Sequence, residues 1–405
     1  MNPADMKNTF KAVPVTDRVY WVGAIDWTVR DFHGYRTGRG TTYNAYLIMA
    51  DKVTLMDTVK APFRDELLAR VASVIDPADV QLIISNHAEP DHSGSLPEVA
   101  AAIRPEKIYA SKTGVKSLEA NLHAGVKVEA VEDMQEISLG DMKVTAAETK
   151  MCHWPDSMVS YLHEEKMLIS QDAFGMHLAS YERFDDQLDP AVLDEEAAKY
   201  YANILLPFSN FINKALDKLT SDGFEMKMIA PDHGPIWRKN PAKIVGDYRR
   251  WASQKRNNKA VVVYDTMWQT TDKLARAVGE GLAAGGASPK VLPMGSSHRS
   301  DVATEILDAG ALIVGAPTIN NQMFPSMADV MSYIKGLRPQ GLVGGVFGSY
   351  GWGGESTKQL RAILEEMKVE IVDEPVRVNY RPTGDDLQSA YQLGLAVAKK
   401  IVGGQ

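Results

Sequence analysis

Six consecutive residues, His87-Ala88-Glu89-Pro90-Asp91-His92, restrict what this chain can become more than any other stretch. They follow the apolar run Leu82-Ile83-Ile84 and are closed by Ser93-Gly94-Ser95. A short apolar run bounded by turn residues reads as a buried strand. The C-terminal ends of such strands are where ligands collect. Carboxylates and imidazoles crowded into one buried loop repel one another or stay protonated unless a cation compensates them. The motif therefore predicts a strand that ends in a metal-binding loop, rather than a solvated polar turn.

Three more residues stand where predicted strands stop. His153 lies in Cys152-His153-Trp154-Pro155, after a strand ending at Thr149. Asp172 follows Leu168-Ile169-Ser170, and His233 follows Met228-Ile229-Ala230. A lone histidine is commonly an ordinary core or surface group. In this order behind His-x-Glu-x-Asp-His, the three extend one ligand set.

The rest of the first half alternates short strands and turns. Val19–Val22, Tyr46–Met49, Val53–Met56, Ile108–Ala110, Val126–Val128 and Met142–Thr145 read as strands. Val159–Leu162 and Met167–Ser170 read as a hairpin around His163-Glu164-Glu165-Lys166. Phe63–Val74 reads as an amphipathic helix, and Ala191–Leu219 as two helices broken near Pro207. Met226–Ala230 reads as a strand and Ile244–Gln254 as a helix leading out.

A polar run, Ser253 to Asn258, marks a domain boundary, taken as 1–255 and 256–405. Beyond it, strand, loop and helix repeat in the manner of a doubly wound parallel sheet. Ala260–Tyr264 leads to a helix at Asp272–Leu282, Ala311–Val314 to one at Met327–Ile334, and Leu342–Phe347 to one at Glu355–Met367. A final helix covers Asp385–Ile401. The first loop, Asp265 to Thr271, offers hydroxyls and backbone N–H groups that can cradle a phosphate at a helix start. It has no lysine and no Gly-x-Gly-x-x-Gly, so neither an NTP loop nor a dinucleotide fingerprint is supported.

A length of 405 residues exceeds what one core usually supports, which favours two domains. The formal net charge of -8 argues against nucleic acid as a partner. One cysteine, Cys152, allows neither an intrachain disulfide nor a cysteine-held cluster, and it reads as a small packing residue. Met1–Lys11 lacks the apolar core of a signal peptide, and no apolar run reaches membrane-spanning length. The cytoplasm is the default location.

The ligand order resembles the metallo-β-lactamase fold, an αββα sandwich with a dinuclear site at its rim, over about the first 250 residues. Zinc hydrolases of that fold usually carry a histidine where this chain has Glu89. A carboxylate there adds negative charge and a hard oxygen donor, which suits redox-active iron better than hydrolytic zinc. His-x-Glu-x-Asp-His specifically resembles the flavodiiron proteins. The three C-terminal loops resemble the flavodoxin arrangement, so the likeness runs from end to end, without the rubredoxin module that some members append.

The resemblance implies two irons, with His87, Glu89 and His153 on one, Asp91 and His233 on the other, and Asp172 between them. Family members differ on whether the histidine at His92 binds iron or turns away. His33, in Asp31-Phe32-His33-Gly34-Tyr35, and Tyr201 resemble residues set over that pocket. His123, His163, His177 and His298 are left as structural or solvated. FMN is implied in the second domain, with its phosphate on Thr266, Met267, Trp268, Gln269, Thr270 and Thr271. Its ring would lie between Pro317-Thr318-Ile319-Asn320-Asn321 and Ser349-Tyr350-Gly351-Trp352-Gly353, flanked by Trp268 and Trp352.

The implied activity is reduction of dioxygen to water, of nitric oxide to nitrous oxide, or of both. The implied electron donor is rubredoxin or a similar small redox protein. The implied assembly is a head-to-tail homodimer, a tetramer being left open, because the two cofactors within a chain lie far apart. The rival readings are a zinc-dependent hydrolase fused to a flavodoxin-like module, and an electron carrier whose first domain has lost its chemistry.

Overall fold

A computed structural model describes residues 6, 8–122 and 125–403; His123 lies outside the described residues. The chain divides into two compact units, one of residues 1–200 and 210–249, the other of residues 201–209 and 250–405. The division thus falls a few residues before the polar run, and a nine-residue excursion belongs to the second unit.

In the first unit, a seven-stranded sheet runs in the order Val13–Pro14, Val19–Trp21, Tyr46–Ile48, Thr54–Met56, Leu82–Ile84, Lys107–Ser111, Glu129–Val131. A five-stranded sheet runs Gln135–Ser138, Lys143–Glu148, Met158–Leu162, Met167–Gln171, Met228–Pro231. Leu82 and Ile84 share a core with Met158, Ile169 and Ala230 of the second sheet. Ile83 shares a different core with Leu67, Val71 and Val99 of the helices Arg64–Ala72 and Leu96–Ile103. On the far layer, Ile212 and Leu216 of helix Ser209–Ser221 and Tyr248 of helix Pro241–Ala252 come down beside Val159. The result is the αββα sandwich.

The alternation along Leu82–Ile84 fixes the strand from whose end the site loop departs. Burying a large aliphatic side chain contributes about 1.5–3 kcal/mol, and a one-residue slip would exchange the two faces. The strand's alternation ends at Ile84, and the loop resets it: Ala88, five residues beyond Ile83, joins the helix-side core with it. His87 and Glu89 are left to turn the other way. Pro90 then opens a short turn of helix, Pro90–Ser93, which brings Asp91 and His92 into the same space.

The second unit is a parallel sheet ordered Ser288–Pro293, Lys259–Tyr264, Ala311–Ile319, Val343–Tyr350, Glu370–Ile371. The chain leaves Lys259–Tyr264 to one side and then crosses to the other, which opens a crevice at the C-terminal strand ends. Helix Thr270–Ala284 lies against helix Gly384–Val402 at unusually close range. A Cβ on Gly281 would fall 2.0 Å from the carbonyl oxygen of Tyr391, and one on Gly394 would fall 2.1 Å from that of Val278. Glycine is required at both places.

Several expectations shift. The strand expected at Val126–Val128 forms at Glu129–Val131, where it pairs with Lys107–Ser111. The edge strand Ser288–Pro293 and the helix Arg299–Ile306 carry too little apolar signal to announce themselves. The hairpin around His163 forms as read.

Candidate functional site

Seven side chains meet at the rim of the sandwich. Nitrogen and oxygen atoms of His87, Glu89, His153 and Asp172 form one group within 4.8 Å of one another, and those of Asp91, His92 and His233 form a second. All seven are buried. Asp172 faces both groups with different oxygens. Its Oδ2 lies 2.8 Å from His153 Nε2 and 3.4 Å from His87 Nε2. Its Oδ1 lies 3.1 Å from His92 Nε2 and 3.4 Å from His233 Nε2. Glu89 Oε2 is 3.2 Å from both His87 Nε2 and His153 Nε2, and His233 Nε2 is 3.2 Å from Asp91 Oδ2.

Three of the imidazoles turn Nε2 inward and spend Nδ1 outward. His87 Nδ1 donates to Asp156 Oδ2 at 3.1 Å, His92 Nδ1 lies 3.4 Å from Asp232 Oδ2, and His233 Nδ1 donates to the Thr42 carbonyl at 2.6 Å. Such outer contacts fix the tautomer that leaves Nε2 free to ligate. Gln171 ends its strand in the left-handed region (φ 49°) and braces the centre with its own amide. Its Oε1 accepts from Asp172 N at 2.7 Å, while its Nε2 donates to the Cys152 carbonyl.

Burial works against every charge here, and pairing overrides it. Asp156, Asp172 and Glu89 hold His87 well above the usual imidazole range, and Asp91, Asp172 and Asp232 push His92 up to about 10. The surrounding imidazoles in turn hold Glu89, Asp91 and Asp172 below theirs. The centre thus balances its carboxylates with protons on crowded histidines. Both oxygens of Asp91, both ring nitrogens of His92 and Oδ1 of Asp172 are buried without a well-formed hydrogen bond. Such orphaned atoms are rare unless something else satisfies them. Two divalent cations sharing Asp172 would satisfy the carboxylate oxygens and His92 Nε2, while His92 Nδ1 faces Asp232. Cys152 takes no part, burial pushing its thiol up to about 12.

In the second unit, the crevice holds a cavity of about 500 Å³. Met267, Trp268 and Thr270 line it from the first loop, Pro317, Thr318, Asn320 and Asn321 from the second, and Ser349 to Gly353 from the third. Tyr380 completes the wall. Trp268, Trp352 and Tyr380 stay 83%, 90% and 64% exposed, a mostly unpacked aromatic rim suited to a flat ring. No lysine or arginine lines the space among the described residues. The Thr266 hydroxyl oxygen is buried and unpartnered close before the helix starting at Thr270, behind the cavity wall, a free donor at the helix start where a phosphate would be held. These residues fit FMN.

The match to known proteins follows the same division. Residues 41–234 match the model of the ODP family beta lactamases, and residues 262–394 that of flavodoxin. A nitric oxide reductase from Moorella thermoacetica is 46% identical over 96% of this chain and 98% of its own length. The structure of rubredoxin oxygen:oxidoreductase from Desulfovibrio gigas superimposes with a TM-score of 0.95 at 43% identity, over 97% of this chain and 99% of that one. The flavodiiron protein from Giardia intestinalis does so with a TM-score of 0.93 at 32% identity, over 97% of each. The chain belongs to the flavodiiron protein family.

As a flavodiiron protein it departs from the sequence reading at a few residues. Tyr201, expected over the metal pocket, instead packs on Trp251 at 5.2 Å and bonds Ser209 Oγ at 3.1 Å. Its neighbour Tyr200 faces the centre, its ring 5.2 Å from His177 and 6.1 Å from His233. Adjacent helical residues point about 100° apart, so an error of one position changes the face. His177, set aside as structural or solvated, is buried with its ring 4.6 Å from that of His233, and Thr41 Oγ1 sits 2.8 Å from its Nδ1. Nothing in the local sequence marks it, because the chain reaches this place by a loop. His33 does reach the centre, its Nε2 2.5 Å from Glu89 Oε1. Thr266, Gln269, Thr271 and Ile319 stand outside the cavity lining. Thr271 Oγ1 is bonded to Ser349 Oγ at 3.0 Å, and Thr270 Oγ1 donates to the Tyr380 carbonyl at 2.9 Å.

Proposed function

We propose that this flavodiiron protein reduces dioxygen to water, nitric oxide to nitrous oxide, or both, at two irons held by the seven converging side chains. The observation that carries the reading is Asp172, one oxygen turned to each ligand group. His87, Glu89 and His153 hold one iron in this account, and Asp91, His92 and His233 the other, with Asp172 shared. Bound in their places, FMN supplies a two-electron store that releases electrons singly, and iron supplies the couple that reduces the gas. The protein's own groups do the rest. Asp156 and the Thr42 carbonyl orient the imidazoles of His87 and His233. His33, partly exposed and in contact with Glu89 Oε1, links the buried carboxylate to solvent and can pass it the protons that gas reduction consumes.

Rubredoxin or a similar small redox protein is the proposed donor, supported by the name of the Desulfovibrio relative, rubredoxin oxygen:oxidoreductase. A head-to-tail homodimer in the cytoplasm is the proposed form. Exposed aromatic rims on both units support a second copy as cover: Trp268 and Trp352 at the flavin cavity, Trp27 and Tyr181 on the metal unit. No described helix is long and apolar enough to cross a membrane. The zinc-hydrolase alternative is not favoured, since Glu89 turns into the centre and the relatives are oxidoreductases. Metal analysis of the purified protein, with gas uptake under a chemical reductant, tests the proposal. Two irons per chain and catalytic gas consumption are expected; zinc with no gas consumption would overturn it.

A further inference from the structure

The metal unit contains a second, much smaller space, an apolar cavity of about 20 Å³ in the layer between the five-stranded sheet and its helices. Its wall includes Cys152 and Ala173, the chain neighbours of His153 and Asp172, together with Phe174. Ala215 and Leu216 of helix Ser209–Ser221 close it from the helix layer. Ala215 is the half-buried member of this lining, and the others are buried, so the wall comes nearest to solvent at Ala215. It therefore spans from a solvent-facing helix to the segments that carry two of the metal ligands.

The lining decides what can occupy it. A cavity needs roughly 10–15 Å³ to hold one water, and that water needs about two to four polar partners. The space is large enough, but its wall is almost wholly apolar, and Thr149 Oγ1 is a buried polar atom there without a partner. The other hydroxyl of the wall, on Tyr248, already accepts from Phe174 N at 2.6 Å, and one free hydroxyl does not hold a water. A dry apolar void retains affinity for apolar atoms and small apolar molecules. Dioxygen and nitric oxide are of that size and polarity. We infer that this cavity is a resting site for the diatomic substrate, on a route that enters beside Ala215 and reaches the metal centre past Cys152 and Ala173. The inference rests on the gas-reductase reading above and adds where the gas travels.

Xenon is the probe, applied under pressure to crystals of the FMN- and metal-loaded protein. A xenon peak in the cavity is expected, lost in Ala215→Trp and strengthened in Leu216→Ala. Stopped-flow mixing of the pre-reduced protein with limiting dioxygen or nitric oxide should be slowed several-fold in Ala215→Trp. Its flavin content, iron content and rate at saturating gas should not change. An empty wild-type cavity overturns the inference, as does an Ala215→Trp protein that excludes xenon yet reacts with limiting gas at the wild-type rate; in both cases the gas-reductase reading stands. A wild-type protein that takes up xenon but consumes neither gas overturns both.

Discussion

At the scale of single residues, the centre is a set of charges that compensate one another. Without metal, His87, His92 and His153 are held protonated above the usual imidazole range by the carboxylates around them. That pairing stabilises the apoprotein fully below the unfolded histidine value of about 6.5. For His92 it is lost as pH rises through about 10. Metal must displace these protons, so loading the apoprotein near neutral pH should release protons, and affinity should rise with pH. Calorimetry in two buffers of different ionisation enthalpy reads this directly; no net release would mean that the imidazoles are already neutral. At the flavin site, Thr266 offers the unpartnered hydroxyl, whereas those of Thr270 and Thr271 are engaged within the protein. Thr266→Val should weaken FMN binding by about 1.5–3 kcal/mol, the range for a hydrogen bond to a charged group. Equilibrium dialysis showing unchanged affinity would place the phosphate elsewhere.

Elements repeat the same logic at longer range. The strand Leu82–Ile84 was legible because its residues are apolar without a break and end at an abrupt polar motif. The loop after it breaks that alternation, seating Ala88 in the helix-side core so that His87 and Glu89 turn the other way. His153, Asp172 and His233 were legible for the same reason, each following the end of a strand. What could not be read comes from places where sequence carries no period. The two-residue strands Asp31–Phe32 and Tyr35–Arg36 are too short to show alternation, though they set His33 at the pocket. Tyr200 and Tyr201 differ only in phase, at a point where the helix Pro190–Tyr200 widens into a π turn. Close helix packing was equally silent, because an isolated glycine in a helix looks like a weakness. Gly281→Ala tests that point with two opposed effects. Alanine gains about 1 kcal/mol of helix propensity, but its Cβ would sit 2.0 Å from a backbone carbonyl. Overpacking of this kind costs about 1–3 kcal/mol, more against rigid backbone, so the variant should be less stable. Urea unfolding followed by flavin fluorescence measures it; a stabilised protein would contradict the packing argument.

For the whole molecule, two cofactor units in one chain pose the question of which flavin serves which metal centre. If assembly is head to tail, two inactive variants should rescue each other. Asp172→Ala supplies an intact flavin unit, and Thr266→Val with Thr271→Val supplies an intact metal unit. Co-refolded heterodimers should recover part of the gas-reducing activity; heterodimers that form but stay inactive would place the transfer within one chain. Beneath that lies the central claim, that electrons leave the flavin through the centre that Asp172 joins. The most direct measurement is stopped-flow reoxidation of the flavin absorbance after fully reduced protein meets dioxygen or nitric oxide. Wild type and Asp172→Ala are compared at equal FMN content. Rapid reoxidation in the wild type and slow reoxidation in the variant, which should also lack iron, are predicted. Equal rates in the two proteins would contradict the account.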